Sequence, residues 1–308
     1  MLGLPARSHF LLLGQLSQPI ANATYTNSLE AVRVNSITVT LKRKITSIDS
    51  LEIVDQNGVD IGRLPLDEVY DLNDMTYRKT FSGSGVYTIP KGAERTLAVE
   101  ARLKPRGDGG ISGELVQVDT IQLVAEGEWS QQLVGVAQSN FVFPQHQTTQ
   151  GNILSVTSAM ATSGSLPVGP AQMLAAFTLS GMAVSGAPSP QVQNLDFQVN
   201  KSSAVTVTNW QLGTQNSSDR IPCFVNDTTV SCLTIPADMG TVDVTQPRTL
   251  QLFGDVAVDQ GATDRMLQVH LSDSGTIGMN GAVRWTDGST YFTWTELQSP
   301  LANGPLWK

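Results

Sequence analysis

The residues whose chemistry is most definite are two cysteines nine positions apart. Cys223 and Cys232 flank Phe224-Val225-Asn226-Asp227-Thr228-Thr229-Val230-Ser231. A hairpin turning over Asn226–Thr229 sets Val225 against Val230, Phe224 against Ser231 and the cysteines against each other. Directly opposed cysteines sit within reach of a disulfide. Closing so short a loop stabilises by about 2–3 kcal/mol in the chain-entropy picture. Such a bond belongs to an oxidising compartment. Two cysteines do not close a zinc site, and no histidine pair lies near them in the chain.

The remaining candidates are weaker. His9, His146 and His270 stand outside every hydrolase or zinc-protease frame and read as surface or strand residues, so neither an enzyme nor a cofactor is expected. Asp55, Asn57 and Asp60 have the oxygen spacing of a calcium loop around Gly58, but no distal glutamate follows, and a plain hairpin turn is the simpler reading. Asn22, Asn200, Asn216 and Asn226 each begin an Asn-x-Ser/Thr glycosylation acceptor. Trp285, Tyr291, Phe292 and Trp294 crowd the C-terminal region, with Trp307 beyond them. Exposed, they would offer a sugar platform; buried, they fill a core. Two apolar segments lie at the ends: Phe10, Leu11, Leu12 and Leu13, and the tail with Leu301, Leu306 and Trp307. A free end segment can add to the open sheet edge of a second copy, and such a head-to-tail contact builds a filament or sheet. Alternatively, each segment folds onto its own domain.

The elements that must carry these residues are strands. Ile37, Val39 and Leu41 alternate with Ser36, Thr38 and Thr40, the two-residue period of a half-buried strand. Leu97, Val99 and Ala101 alternate likewise, as does Met266-Leu267-Gln268-Val269-His270-Leu271. Asn57-Gly58 and Pro90-Lys91-Gly92 are turn signals. Turns recur about every ten residues, the spacing of a sandwich. No stretch carries a clear helical stripe.

The chain also resembles itself. Phe10–Ser17 matches Met173–Ser180, Val34–Leu41 matches Val192–Val199, Arg95–Val99 matches Arg248–Leu252, and Glu126–Trp129 matches Ala282–Trp285. The order is kept at a spacing of about 160 residues, the length of a whole domain. The expected fold is all-β: two tandem Ig-like antiparallel β-sandwich domains. Residues 1–145 form the first domain. Residues 146–165, small and polar, form a linker with a possible strand at Asn152–Thr157, and residues 166–308 form the second domain with a C-terminal tail. Because Phe10–Leu13 has an internal counterpart, it reads as a strand rather than as the core of a signal peptide.

Composition narrows the partners. Charged residues are only 15% and the net charge is -8, which disfavours nucleic acid and anionic membrane surfaces. No apolar run is long enough to cross a bilayer.

The residues of the first half carry one resemblance. Val34–Leu41, Ile48–Asp55, Ile61-Gly62, Phe81-Ser82-Gly83 and Tyr87–Val99 are similar to a repeated β-sandwich domain of large surface proteins, often S-layer-like, in candidate-phyla-radiation bacteria. Trp285–Thr290 and Leu297–Leu301 resemble the close of such chains. The cysteine hairpin departs from that pattern. The resemblance implies an exported, self-associating coat or appendage protein at the cell surface. The expected function is a structural subunit of an extracellular surface layer or filament, whose partners are copies of itself, joined through terminal segments and sandwich edges. The alternative is an adhesin or carbohydrate-binding module that takes a cell-wall or surface glycan.

Overall fold

The structure, a computed structural model, describes residues 7–66, 75–81, 87–134, 137–139, 143–215 and 217–308. The chain divides into two compact units, Met1–Thr149 and Gln150–Lys308. Among the described residues, helix is confined to one α-turn, α1 (Ala237–Gly240), and one 3-10 turn, and no helix is long and apolar enough to cross a membrane.

Unit 1 holds β1 (Phe10–Leu12), β2 (Ala21–Thr26), β3 (Val32–Leu41), β4 (Ile48–Asp55), β5 (Asp60–Pro65), β6 (Thr76–Thr80), β7 (Thr88–Ile89), β8 (Glu94–Leu103), β9 (Leu115–Val116), β10 (Val118–Gly127), β11 (Leu133–Val134), β12 (Ala137–Ser139) and β13 (His146–Thr149). One sheet runs β12-β2-β8-β4-β5 and a second β11-β10-β3-β6, with β7 also on β3. A small third sheet runs β1-β13-β9. The period-two pattern sends Ala21, Ala23 and Tyr25 of β2 inward, with Leu97, Val99 and Ala101 of β8, against Ile37, Val39 and Leu41 of β3 in one buried cluster. The Tyr25 hydroxyl donates across the sandwich to the Ile121 carbonyl at 3.2 Å, so its polar tip is satisfied inside the core.

Unit 2 holds β14 (Gly151–Ser158), β15 (Ser163–Gly164), β16 (Gly169–Ala183), β17 (Gln191–Lys201), β18 (Val205–Thr214), β19 (Arg220–Pro222), β20 (Phe224–Asn226), β21 (Thr229–Cys232), β22 (Arg248–Val258), β23 (Leu267–Leu271), β24 (Val283–Thr286), β25 (Tyr291–Phe292) and β26 (Ala302–Trp307). Its sheets run β14-β16-β22-β18-β19 and β15-β26-β23-β17-β21-β20, with β24 on β17 and β25 on β24. Phe177 of β16 stacks on Phe197 of β17 with ring centroids 5.8 Å apart, joining the two layers.

The two units share the order of their central strands, though not the strand beside the first of them, which is β12 in unit 1 and β14 in unit 2. β2-β8-β4-β5 in unit 1 is β16-β22-β18-β19 in unit 2, and β10-β3-β6 is β23-β17-β21. The fold is therefore all-β, two tandem antiparallel sandwiches; the parallel pairs are β1 with β13 and β15 with β26. Side chains mark the equivalence. Thr24 and Thr96 face each other across β2 and β8 with hydroxyls 2.9 Å apart; Thr178 and Thr249 do the same across β16 and β22 at 2.8 Å.

That register upholds two of the four sequence matches and corrects two. β3 corresponds to β17 and β8 to β22, as expected. The counterpart of β16 is β2, however, not Phe10–Ser17, because β2 reads Ala-Asn-Ala-Thr-Tyr-Thr and lacks the apolar run of β16. The counterpart of Trp285 is Ala125, not Trp129. Ile37 pairs with Leu123, and its equivalent Leu195 pairs with Val283, which fixes the register two residues on. β23 and β24 follow each other along β17 and together fill the place of the single strand β10, so the segment between them shifts every later match.

The stretch 146–165 is largely strand: β13 belongs to unit 1, and β14, which contains the strand expected at Asn152–Thr157, and β15 belong to unit 2, with Gln150 alone between β13 and β14. At its start, polar residues that look like linker are buried rather than solvated: Thr148, Thr149 and Gln150. The Thr148 hydroxyl donates to the Ile111 carbonyl and accepts the Glu114 N–H, and the Asp287 carboxylate accepts the Gln150 N–H at 2.9 Å.

Candidate functional site

Cys223 and Cys232 are bonded to each other, with Cα atoms 4.3 Å apart. β20 and β21 pair Phe224 with Ser231, Val225 with Val230 and Asn226 with Thr229, the register the sequence implies. Asp227 takes a left-handed φ of 54° in the turn. The hairpin has two unlike strands. Val230 and Cys232 of β21 are buried, whereas Phe224 and Val225 of β20 are 62% and 56% exposed. β20 is also the last strand of its sheet, so its outer main-chain groups face no further strand there. An apolar, stapled edge strand is a place where another chain can pair. Of the glycosylation acceptors, Asn226 at the hairpin tip and Asn200 at the end of β17 are exposed, Asn22 is half-buried within β2, and Asn216 lies outside the described residues.

The terminal segments pack within their own units. β1 pairs in parallel with β13; Phe10, Leu11 and Leu13 are buried and Leu12 is half-buried. β26 lies between β23 and β15; Leu301 is buried and Leu306 and Trp307 are half-buried. Within the single chain both end segments join a sheet of their own unit, the alternative reading of them.

At these two places the units are built alike. His146 opens β13 and is paired with Val116; its Nε2 lies 2.9 Å from the Ile20 carbonyl and therefore carries the proton. Its Nδ1 is then the acceptor of the His9 main-chain N–H at 3.1 Å, and the two imidazoles stack with centroids 5.8 Å apart. Trp307 holds the same position in unit 2. It pairs with Leu267, and its Nε1–H donates 2.8 Å to the carbonyl of Leu174, the residue equivalent to Ile20. Gly164 stands where His9 does: Gln147 N–H donates to the His9 carbonyl and Lys308 N–H to that of Gly164. His270, on β23, is half-buried, and burial lowers its pKa.

Asp55 is occupied by its own turn. One carboxylate oxygen accepts the N–H groups of Asn57 and Val59 at 2.8 and 2.9 Å, and the other the Asn57 amide. Desolvation raises its pKa, but these hydrogen bonds outweigh it and hold the group below its usual range. No group of three His, Cys, Asp or Glu side chains able to hold a metal gathers among the described residues. Residues 55–60 form the hairpin turn between β4 and β5.

Three of the four clustered aromatics, Trp285, Phe292 and Trp294, are core, and Tyr291 is exposed. Trp285 and Phe292 are fully buried and stack at 4.4 Å, and the Trp285 Nε1–H donates to the Trp294 carbonyl. The exposed tryptophan is Trp129, at 89%. It sits on the turn after β10, where the Glu30 carboxylate accepts the N–H groups of both Trp129 and Ser130 at 2.9 Å. The Ser130 side chain and backbone, then the Trp129 N–H, hold the Glu30 carboxyl below its usual range. Sequence reasoning passed over this residue by treating it as the partner of Trp285. Its signal was a tryptophan among Gly127, Glu128, Ser130 and Gln131, with no alternating apolar face to bury it.

No protein-family model matches the chain, and no curated protein matches it. Among solved structures, the C-terminal domain of the Streptococcus agalactiae AgI/II polypeptide BspA is similar at 11% identity over 92% of each chain, with a TM-score of 0.27. The BSP domain of a biofilm associated protein is similar at 7% identity over 98% of this chain and 61% of that one, with a TM-score of 0.25. The T6 backbone pilin of serotype M6 Streptococcus pyogenes is similar at 9% identity over 96% of this chain and 62% of that one, with a TM-score of 0.21.

Proposed function

We propose that the chain is a structural subunit of an extracellular surface layer or filament that assembles through the edges of its sandwiches. The observation that carries this reading is the repetition itself: one sandwich built twice, with a single residue between the last strand of the first unit and the first strand of the second. Repeated modules of this kind extend a chain without adding new chemistry. The Cys223–Cys232 bond fits an oxidising, extracellular location. The resemblance to S-layer-like sandwich proteins points the same way. β20 is the contact edge we assign, since it is apolar, exposed and fixed in shape by the disulfide. Electron microscopy of the purified protein at rising concentration tests the reading. Ordered sheets or filaments are expected for the native chain and only monomers for Val225→Lys, which places a charge on that edge. Native protein that stays monomeric at every concentration and on a glycan-coated surface overturns it.

An adhesive role is the second reading, and Trp129 favours it. An indole held out from a fixed turn can stack on a sugar ring at little entropic cost. Binding to a glycan array that disappears in Trp129→Ala supports this reading, and equal binding by both chains removes it.

A further inference from the structure

The equivalence of His146 with Trp307 gives unit 1 a property that unit 2 lacks. Both residues open or close the last strand of their unit, and both cap the same carbonyl, that of Ile20 or of Leu174, with a ring N–H. The difference lies on the other side of the ring. The indole presents carbon toward Gly164, where an added Cβ would lie only 2.7 Å from the ring. The imidazole presents Nδ1 to the His9 N–H and receives a second imidazole in a stack. We propose that the His9–His146 pair is an acid-sensitive latch that holds β1 to β13 at neutral pH and releases them on acidification, and that unit 2 carries the same joint in a form that does not titrate.

The chemistry follows from the tautomer. His146 must keep Nε2–H for Ile20, so any added proton goes to Nδ1. Nδ1–H would then face the His9 N–H, turning a hydrogen bond into a donor–donor clash against a buried ring. The Ile20 carbonyl favours the cation, but the neutral ring already holds Nε2–H toward it. Among the described residues, the charged and titratable groups acting on the pair are the two histidines themselves and Arg7, all of one sign when protonated. On the other side, β9 brings Leu115 and Val116, and the Glu114 carboxylate just before it is turned to Thr46 and Ser47. Burial, then the charge of His9, lowers the His146 pKa to about 4, against the pull of the Ile20 carbonyl; burial, then Arg7, lowers that of His9.

The sign is that of a base whose folded pKa is depressed. The unfolded chain binds the proton first, so stability is complete above about pH 6.5 and is lost as pH falls toward 4. For His146 alone this lowers the folding equilibrium of unit 1 roughly 100-fold between pH 7 and pH 4.

Two measurements on the full chain test the latch. A histidine NMR titration of the native protein is expected to show His146 as the neutral Nε2–H tautomer, with a midpoint well below 6.5. Thermal unfolding from pH 7.5 to 4.5 compares the native chain with the double variant His9→Gly/His146→Trp, which copies the unit 2 joint into unit 1. The native chain is expected to lose stability steeply below pH 6.5, and the double variant to lose most of that dependence. A His146 midpoint at or above 6.5 overturns the proposal, as does an equal pH dependence in the two proteins. If the double variant fails to fold, the titration of the native chain still decides.

Discussion

Single side chains in this protein divide sharply by what surrounds them, and the two tryptophans once matched to each other show it best. Trp285 is enclosed, stacked on Phe292 and hydrogen-bonded, so Trp285→Ala is expected to cost about 3–5 kcal/mol. Trp129 is in solvent, so Trp129→Ala is expected to change stability by less than about 0.5 kcal/mol. Chemical denaturation of the two variants checks both figures. For the cysteines, intact mass before and after reduction is expected to differ by about two daltons, and Cys223→Ser/Cys232→Ser to cost about 2–3 kcal/mol. The disulfide was legible in the sequence because a hairpin register is local: eight intervening residues with alternating character leave one pairing that opposes the cysteines. The histidine latch was not legible. His9 and His146 are 137 positions apart, and nothing in either neighbourhood says that β1 returns to lie beside β13.

Elements were readable wherever alternation was clean, as in β3, β8 and β23. They were unreadable where polar side chains are buried. Thr148, Thr149 and Gln150 look like linker by composition, yet all three are enclosed, because neighbouring carbonyls, N–H groups and the Asp287 carboxylate satisfy them. The repeat was legible in outline and wrong in detail for a related reason. A strand interrupted in one unit and continuous in the other moves the matching residues without changing the order of strands. The tail supplies the test at this scale. Deleting Leu301–Lys308 removes β26 from between β23 and β15, together with the Trp307 hydrogen bond to Leu174. The expected outcome is loss of folded unit 2, seen as a smaller unfolding enthalpy and rapid thermolysin cleavage within 150–300. A fully folded truncated chain would mean that β26 adds little to its sheet.

For the molecule as a whole, one plan used twice leaves the distinctions between the units to carry function. Unit 2 has the stapled hairpin with its apolar edge, and unit 1 has the exposed Trp129 and the titrating joint. If assembly runs through β20, its concentration dependence belongs to unit 2. Assembly at neutral pH is then expected to survive Trp129→Ala and to fail in Val225→Lys, with light scattering against concentration as the readout. Failure of both variants would place the contact outside a single edge. This separation was beyond the reach of the sequence, because it depends on which apolar residues remain in solvent once the shared core has formed.

The parallel pairing of β1 with β13 has a mechanical consequence. Tension applied to the two ends of unit 1 pulls its first strand, β1, backward and its last strand, β13, forward along their common length. The bonds between them, such as Gln147 N–H to His9 and Leu13 N–H to Thr149, then bear load together instead of opening one after another. Single-molecule pulling is expected to record a force peak for unit 1 at which these bonds part together.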